Sequence, residues 1–414
     1  MEDRQPTAEP LIRVRRAREG DLDRVVAIHA SAFPDARNRE ARRRNFTDNA
    51  RGDLSDLFVA LLGSTVVGHA FLFQMATWIG GRRIAVGGVA SVGVATEARG
   101  QGVARVLMHA LARETAARGA PLCLLYPFRH RFYRRLGYGL VSEMRRLRIA
   151  PSAFPVGATE SRIVAIGDPL GTAAVQRCYA RVAPRATGLL ERNAAVWRGL
   201  LGLDARHLVA VTGFGGEVEG YLLFQYLGPP DTAGSELDVV ELVADTDRAR
   251  LALYGFIHGQ RDQVCGVRLV VDRDDPVLAV LDEPRAPGSQ TIRGLVATAG
   301  EVGAGAMVKL VDVEGALAAR GWSSDGALAL RIWDPEGDLS CAVDVRDGVA
   351  TIGVDRGGPW IRTDRATAAQ LYAGFLRPSS AVRLGVATVD TPETVHLADR
   401  LFMTATPFFP LDVF

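Results

Sequence analysis

The stretch that decides the fold is GVASVGVATEARGQGVA, residues 88–104. Its first half is apolar and rich in valine, which is typical of a buried strand. Val103, Leu107 and Leu111 then recur at helical spacing, so a helix follows directly. The glycines at 100 and 102 let backbone N–H groups approach a ligand, and the helix directs its positive end to the same point. The stretch predicts a pyrophosphate-binding loop, although a plain strand-turn-helix connection has the same pattern.

The composition bounds the class of protein. At 414 residues the chain favours two or three domains over a single core. Its formal net charge of +2 offers no excess of one sign, so we expect neither nucleic acid nor a membrane as partner. The four cysteines form no C-x-x-C pair, which argues against zinc and against a disulfide framework. The polar N-terminus lacks an apolar signal segment, and we expect a cytoplasmic protein.

Residues 58–81 carry no Asp, Glu, Lys or Arg, and their number alone could span a bilayer. Gly63-Ser64-Thr65 is a turn signal between two β-prone runs, however, and a glycine, a histidine and a glutamine follow it. The stretch therefore predicts two antiparallel strands rather than a membrane span.

Three α/β blocks follow one another along the chain, and we place the domains at 1–155, 156–300 and 301–414. Strands are predicted at 11–15, 57–62, 66–75, 84–94, 121–126, 207–212, 219–226, 237–243, 327–333, 339–345 and 349–354. Helices are predicted from Asp21, after the glycine loop, and at 169–181, 189–201, 247–258, 312–320, 364–373 and 392–399. The glycine-rich segment 287–306 is interpreted as a connector. The second block roughly repeats the element order of the first without its glycine loop.

The pattern R-x-x-G-x-A over residues 99–104 is similar to the loop with which GNAT-superfamily N-acetyltransferases hold coenzyme A. Acetyl transfer to an amine also needs donors for the thioester carbonyl, a base for the amine and an acid for the departing thiolate. Backbone N–H groups of Val92 to Val94 precede the loop and suit the first task, although both valines also read as plain core.

The candidate acid lies in FYRRLGYG, residues 132–139. A tyrosine has a pKa of ~10, so it is protonated before it meets a thiolate. Tyr133 and Tyr138 compete for the role, and either reads equally as a packed aromatic. The turn predicted at Gly137 favours Tyr133. The arginines nearby are candidates for cofactor phosphates, and they are Arg129, Arg131, Arg134 and Arg135.

No histidine or glutamate is placed as an obvious base. His29, His69, His109 and His130 are isolated in the sequence and are interpreted as structural or surface residues. The chain ends on PFFPLDVF, residues 407–414, which is too apolar to stay in water and is predicted to dock. A docked terminus carries an α-carboxylate of pKa ~3.3 to 3.7 that could serve as base.

Five segments resemble the Eis (enhanced intracellular survival) family of acetyltransferases. They are 92–96 with 99–102, 132–139, 188–192 before Trp197, 310–321, and the terminal Phe414. The resemblance implies an α/β (α+β) protein with a GNAT domain, a degenerate GNAT-like domain and a sterol-carrier-protein-like domain, assembled as a homohexamer. It implies acetyl-CoA as cosubstrate, no metal, and a small-molecule amine as acceptor.

The resemblance also implies site residues. Tyr133 falls on the general acid, Phe414 on the residue whose carboxylate is the base, and Asp35 on an acidic residue of the amine pocket. The residues implied for the cofactor are Val92, Gly93, Val94, Arg99, Gly100, Gln101, Gly102, Val103 and Ala104. Aminoglycoside-acetylating members have Ser-Phe where this chain has Ala90-Ser91, and Glu where it has Val413. The first difference widens the pocket, and the second removes a charge that would hold a polycation.

The sequence thus predicts an acetyl-CoA-dependent N-acetyltransferase of small-molecule amines, with aminoglycosides among the candidates. Two alternatives stay open: a carrier of apolar ligands with vestigial GNAT domains, and an acetyltransferase of protein lysines. Asp272, Asp274 and Glu283 match three EF-hand positions, but Pro276 and Val277 break that pattern, so no metal site is predicted.

Overall fold

The structure is a computed structural model that describes residues 12–35, 37–156, 162–167, 169–202, 205–228, 234–287, 298–335 and 337–414. Its strands are β1 (Ile12–Arg16), β2 (Leu57–Leu62), β3 (Thr65–Ile79), β4 (Arg82–Val94), β5 (Leu122–Leu125), β6 (Gly139–Leu140), β7 (Glu143–Ile149), β8 (Arg162–Ala165), β9 (Arg206–Thr212), β10 (Val218–Leu227), β11 (Glu236–Ala244), β12 (Gly266–Val271), β13 (Gly300–Ala304), β14 (Met307–Leu310), β15 (Gly326–Trp333), β16 (Leu339–Arg346), β17 (Val349–Gly353), β18 (Trp360–Asp364) and β19 (Ala387–Val389).

The α-helices alternate with these strands. They are α1 (Leu22–Ala32), α2 (Arg39–Thr47), α3 (Val103–Ala117), α4 (His130–Arg134), α5 (Pro169–Val182), α6 (Ala194–Leu201), α7 (Asp247–Gly259), α8 (Val277–Val280), α9 (Val313–Ala319), α10 (Arg365–Tyr372), α11 (Pro378–Arg383) and α12 (Pro392–Phe402).

The first sheet has the order β1-β2-β3-β4-β5-β14-β6. Successive side chains of a strand point to opposite faces, and β3 shows this directly. Phe71 and Phe73 pack with residues of α1 on one face. Ala70 and Leu72 pack with residues of α3 on the other. The hydrophobic core of the N-terminal domain, the candidate catalytic domain, thus lies in two layers on either side of β3 and β4.

Two strands cross between the sheets. The second sheet has the order β13-β7-β12-β11-β10-β9-β8, so β7 lies beside β12 rather than beside β6. In return, β14 pairs with β5 over Met307–Leu310 and lies between β5 and β6 in the first sheet. The third sheet has the order β17-β16-β15-β18-β19. The exchange ties the three blocks together, while the domain limits at 155 and 300 remain predictions.

The uncharged stretch 58–81 forms two antiparallel strands, as predicted, with Leu57 opposite Phe71 in the β2–β3 ladder. Among the helices of the described residues, we find none with the length and apolarity to cross a membrane. The predicted α/β (α+β) fold class is also confirmed, since helices alternate with the strands of three sheets, each with parallel and antiparallel pairs, in the described residues.

The helix predicted over 189–201 begins only at Ala194. Residues 188–191 instead run beside β3, because the Gly188 N–H donates to the Trp78 carbonyl at 2.8 Å and the Glu191 N–H to the Ala76 carbonyl at 2.9 Å. The Asn193 side chain then accepts from the Val196 N–H and starts the helix. Helical periodicity missed this boundary because tertiary pairing took the preceding residues. The predicted connector lies partly outside the described residues, and its end forms β13.

Candidate active site

The first sheet opens where β4 leaves β5. The two strands are paired in parallel only from Val86 to Gly88. Beyond Gly88, β4 is paired with β3 alone among the described residues, through a register that shifts between His69 and Phe71. Ser91 sits in this irregular segment with φ 50°. Backbone polar groups of residues 89–94 on the β5 side are thus left to bind another molecule.

The glycine loop follows this opening. Gly100 and Gly102 have φ of 81° and 79°, a left-handed backbone that glycine adopts without strain. A Cβ at either position would meet nothing within 4 Å, so the loop faces open space. Within the described part of the chain, no side chain caps the N-terminus of α3 and no acidic residue lies in its first turn. The free N–H groups and the helix dipole therefore favour an anion here.

Two side chains of the glycine loop, those of Gln101 and Arg99, are hydrogen-bonded to neighbouring backbone carbonyls. The Gln101 side chain donates to the Glu97 carbonyl at 3.0 Å, and the Arg99 guanidinium donates to the Ser31 carbonyl at 3.3 Å. Val103 is buried against the sheet, while Ala104 is half-buried on the following turn. Residues 99–104 thus form one continuous surface at the mouth of the opening between β4 and β5.

Tyr133 lies on the short helix α4, with 2% of its surface exposed. Its ring meets the rings of Phe132 at 5.0 Å, Phe128 at 5.8 Å and Tyr138 at 5.9 Å, all edge to face. Burial raises the pKa of Tyr133 to about 12. The phenol is therefore protonated at neutral pH, as a group that donates a proton must be.

Tyr138, the competing tyrosine, is buried deeper in the core. Burial raises its pKa well above the usual value, and the nearby Cys123 thiol adds to the effect. Gly137 between the two has φ 84° and turns the chain back after α4, as the sequence predicts. Both tyrosines are thus buried side by side, and the choice of Tyr133 as the acid stays a prediction.

The C-terminal segment docks between the domains. The Phe409 N–H donates to the Thr187 carbonyl at 2.9 Å, and Phe408 is buried. The ring of Phe414 lies 5.8 Å from that of Tyr126 and 5.7 Å from the Arg51 guanidinium. A Cβ on Gly88 would come within 3.1 Å of the Phe414 ring. The terminal residue therefore packs against the point where β4 and β5 separate.

Asp35 follows α1 and has its charge compensated locally. Its carboxylate accepts from the Arg37 side chain at 2.7 Å and from the buried Arg42 at 2.6 Å. The hydrogen bond from Arg37, above all, lowers the pKa of Asp35 to about 2. Asp35 is thus ionised, but two arginines already hold it, and it offers little net attraction to a cationic acceptor.

His29 and His69, isolated from each other in the sequence, meet in the core, in line with their interpretation as structural residues. Their rings stack at 5.9 Å in the core, and the Arg42 guanidinium lies 3.1 Å from His29 Nδ1. Burial lowers the pKa of His29 to about 4 and that of His69 to about 3. A Cβ on Gly93 would come within 2.5 Å of His69 Nε2, so this ring presses directly on the irregular segment of β4.

The sequence analysis missed a buried ionic network at the docked terminus. Asp412 accepts from Arg51 at 2.9 Å and from Arg192 at 3.0 and 3.1 Å. Arg192 also forms a two-point ion pair with Glu241 on β11. The available signal was Asp412 itself, the one charged residue in the otherwise apolar stretch 403–414. A charge in a segment predicted to dock requires a buried partner.

A basic cavity of about 540 Å³ lies between α3, α4 and the third domain. Asp364 in its wall pairs with Arg134 at 3.1 Å. The single lysine of the chain, Lys309, also faces this cavity. Further side chains in the lining come from α3 and from α4 or the residue after it, and they are Arg105, His109, Arg131 and Arg135. The cavity suits a phosphate-bearing group.

Comparisons with known proteins agree with this fold. Residues 13–141 match an acetyltransferase (GNAT) domain, residues 188–303 match a second acetyltransferase (GNAT) domain, and residues 313–410 match a sterol carrier protein domain. N-acetyltransferase Eis from Mycobacterium tuberculosis is 24% identical over 364 residues, which cover 83% of this chain and 85% of the relative.

Two solved structures share nearly the whole fold. A GCN5-related N-acetyltransferase from Anabaena variabilis superposes with a TM-score of 0.84 at 22% identity, covering 98% of this chain and 100% of that one. Eis1 from Mycobacterium abscessus superposes with a TM-score of 0.79 at 21% identity, again over 98% and 100% of the two chains.

The open β4–β5 pair, the glycine loop and these matches define a GNAT N-acetyltransferase with a second GNAT domain and a sterol-carrier-protein-like domain. Within that class, the chain is similar over most of its length to the Eis N-acetyltransferases, and it shares its three-domain fold with Eis1. The GNAT fold implies acetyl-CoA as cosubstrate, and the open loop and uncapped α3 fit its pyrophosphate.

Proposed function

We propose that this protein transfers the acetyl group of acetyl-CoA to a primary amine of a small molecule. The observation that carries the proposal is the position of Phe414 at the point where β4 and β5 separate. In this proposal Tyr133, the open edge of β4 and the terminal Phe414 act together at that opening. No metal takes part.

Two parts of the chain hold the cosubstrate. Residues 99–104 bind the pyrophosphate through their N–H groups and the N-terminus of α3. Val92, Gly93 and Val94 hydrogen-bond the acetyl-pantetheine arm through their backbones and stabilise the oxyanion that develops on the thioester carbonyl. The basic cavity beside α3 and α4 takes the phosphorylated adenosine end.

The acid is Tyr133 and the base is the α-carboxylate of Phe414. The carboxylate accepts the proton of the attacking amine directly or through a water molecule, and the phenol donates its proton to the departing thiolate. This assignment requires Phe414 to end the mature chain, which an intact-mass measurement checks. Deleting Phe414 or appending one residue should lower kcat by about a hundredfold.

The acceptor in this proposal is an amine of low charge rather than an aminoglycoside. Asp35 is held by two arginines, and Arg51 lies over the Phe414 ring. Val413 supplies no carboxylate beside Phe414. A polycation would therefore meet no uncompensated negative charge from these residues.

A screen of coenzyme A release over monoamines, polyamines, aminoglycosides and lysine peptides tests the proposal. We expect turnover with monoamines, and turnover confined to lysine peptides would favour the protein-directed alternative. Absence of turnover, combined with a thermal shift from fatty acids and none from acetyl-CoA, would favour the apolar-ligand carrier. A cytoplasmic location and a homohexameric assembly are part of the same proposal, and analytical ultracentrifugation checks the assembly.

A further inference from the structure

The terminal segment has a single charged residue, Asp412, and its side chain is 6% exposed. A carboxylate removed from water at this depth must be paired and hydrogen-bonded to be stable. Asp412 meets this need with two arginines from two different domains, Arg51 and Arg192. The ion pairs of Asp412 therefore fix the segment to two other parts of the protein two residues before its end.

Arg192 is fixed from every side. Its guanidinium contacts both oxygens of Asp412 and both of Glu241. It also lies 4.2 Å from the ring centroid of Tyr179 and 4.8 Å from that of Trp197. Only 1% of the side chain is exposed. A planar guanidinium held between two rings and two carboxylates has one orientation, so it fixes the Asp412 carboxylate in turn.

The residues that hold Asp412 also hold Phe414. Arg51 pairs with Asp412 at 2.9 Å and lies over the Phe414 ring. The Tyr126 hydroxyl donates to the Asp412 carbonyl at 3.0 Å, and its ring packs edge to face on Phe414. Two extended residues span at most about 7 Å. Fixing Asp412 and the terminal ring together therefore leaves the terminal carboxylate little freedom.

We propose that Asp412, Arg51, Arg192 and Tyr126 form a clamp that positions the terminal Phe414 at the opening between β4 and β5. These are positioning residues, since they act on the reaction through Phe414. The inference rests on the proposed function of the Phe414 carboxylate as base. It assigns to the degenerate GNAT domain, through Arg192 and Glu241, a role in the chemistry of the catalytic domain.

The central test is Asp412→Asn in the full-length protein. The amide keeps the shape of the side chain but loses the charge that both arginines bind. We expect kcat to fall ten- to a hundredfold, about the cost of a 1 Å misplacement of a reacting group. The KM for acetyl-CoA should stay within twofold, since the cosubstrate site is unchanged.

A second readout follows the terminus itself. Carboxypeptidase A releases aromatic C-terminal residues, and mass spectrometry measures the rate at which Phe414 is lost. We expect release at least tenfold faster from Asp412→Asn than from the wild type, because the clamp no longer protects the end. Arg51→Lys should show a smaller loss of kcat than Arg51→Gln, since the lysine retains the ion pair.

The matched control is Asp355→Asn. Asp355 is a carboxylate of similar burial in the third domain, paired with Arg331 at 2.7 Å. We expect its kcat and Phe414 release to equal those of the wild type. Wild-type kcat in Asp412→Asn, or an equal loss in both variants, would overturn the clamp.

Deleting Phe414 separates this inference from the function on which it rests. Full activity without Phe414 would refute the carboxylate base, whatever Asp412→Asn does. Loss of activity without Phe414, together with wild-type kcat in Asp412→Asn, would refute the clamp alone.

Discussion

The catalytic and central domains each contain a pair of parallel strands that separate, and the two pairs end differently. In the catalytic domain β4 leaves β5 after Gly88. In the central domain β11 is paired with β12 only from Glu236 to Asp238, and beyond that it stays paired with β10 as far as Ala244. The first opening leads to an exposed glycine loop, whereas the second is covered by residues of the C-terminal segment.

The helices that follow the two strands differ in their suitability for binding an anion. Gly102 starts α3 with an exposed backbone and no capping side chain among the described residues. Thr246 starts α7 with a side chain that accepts from the Ala249 N–H, and Asp247 lies in the first turn. A capped and acidic helix start has neither free N–H groups nor a favourable field for a phosphate.

The central opening has a different occupant. A cavity of about 530 Å³ there is lined by β11, β12 and the side of the terminal segment that carries Phe409, Leu411 and Val413. The alternate residue Asp412 pairs with Arg51 of the catalytic domain and with Arg192 of the central domain, and Phe414 packs against Arg51. The central opening therefore contacts the terminal segment, while its capped helix start does not suit a phosphate.

The largest effect on kcat is expected from Tyr133, the proposed acid of the catalytic domain, which the central domain does not match. Tyr133→Phe removes the hydroxyl and keeps the ring contacts, so kcat should fall by about 10² to 10⁴. The dissociation constant of acetyl-CoA, measured by calorimetry, should change less than threefold. Tyr254→Phe, a buried tyrosine on α7 of the central domain, is the matched control and should leave kcat unchanged. Wild-type turnover in Tyr133→Phe would remove this residue from the mechanism.

The histidine pair behind β4 should make stability depend on pH. The pKa of His29 is lowered to about 4 from an unfolded value of 6.5. The unfolded chain binds the proton first, so the free energy of unfolding is highest above pH 6.5 and falls as the pH drops toward 4. The shift of His29 corresponds to about 3 kcal/mol.

Urea denaturation between pH 7.5 and pH 4.5 checks this dependence. His69→Leu removes one of the two titrating rings and leaves no polar group in its place. The variant should therefore lose less stability than the wild type over that range. Equal losses in the two proteins would mean that His69 does not titrate between the folded and unfolded states.

A negative charge in the glycine loop should weaken the binding of acetyl-CoA without changing the backbone conformation of the loop. Gly102→Asp introduces a residue that tolerates a positive φ, and its carboxylate would lie where the pyrophosphate binds. The KM for acetyl-CoA should rise about tenfold, since a like charge at a helix start repels an anion. Gly63→Asp is the matched control, because Gly63 has φ 62° and open space on the β2–β3 turn. Similar KM values in the two variants would contradict the assignment of the loop.

The sequence predicted the opening between β4 and β5 better than it predicted the Asp412 network that holds the terminal segment beside that opening. Local patterns suffice for β4, the glycine loop and α3, because periodicity and glycine placement encode them directly. The Asp412 network joins residues 51, 192, 241 and 412, whose proximity depends on the packing of three domains. The extended segment 188–191 was likewise missed, because its backbone pairs with β3 rather than with its own neighbours.

The smallest effect on the KM for acetyl-CoA is expected from the basic cavity of the catalytic domain, which in the proposed function takes the phosphorylated adenosine end of the cosubstrate. Arg131 and Arg135 are exposed on and beside α4 and line the cavity together with Lys309. Replacing both arginines by glutamine should raise the KM for acetyl-CoA about fivefold, since each exposed charge contributes roughly 0.5 kcal/mol to binding a phosphate.

Steady-state kinetics with acetyl-dephospho-CoA, which lacks the 3′-phosphate, separate two explanations. If these arginines bind that phosphate, wild type and variant should have equal KM values for the dephospho substrate. If the fivefold difference persists, the arginines act on the pyrophosphate or on the position of α4, and the cavity between the domains has another ligand.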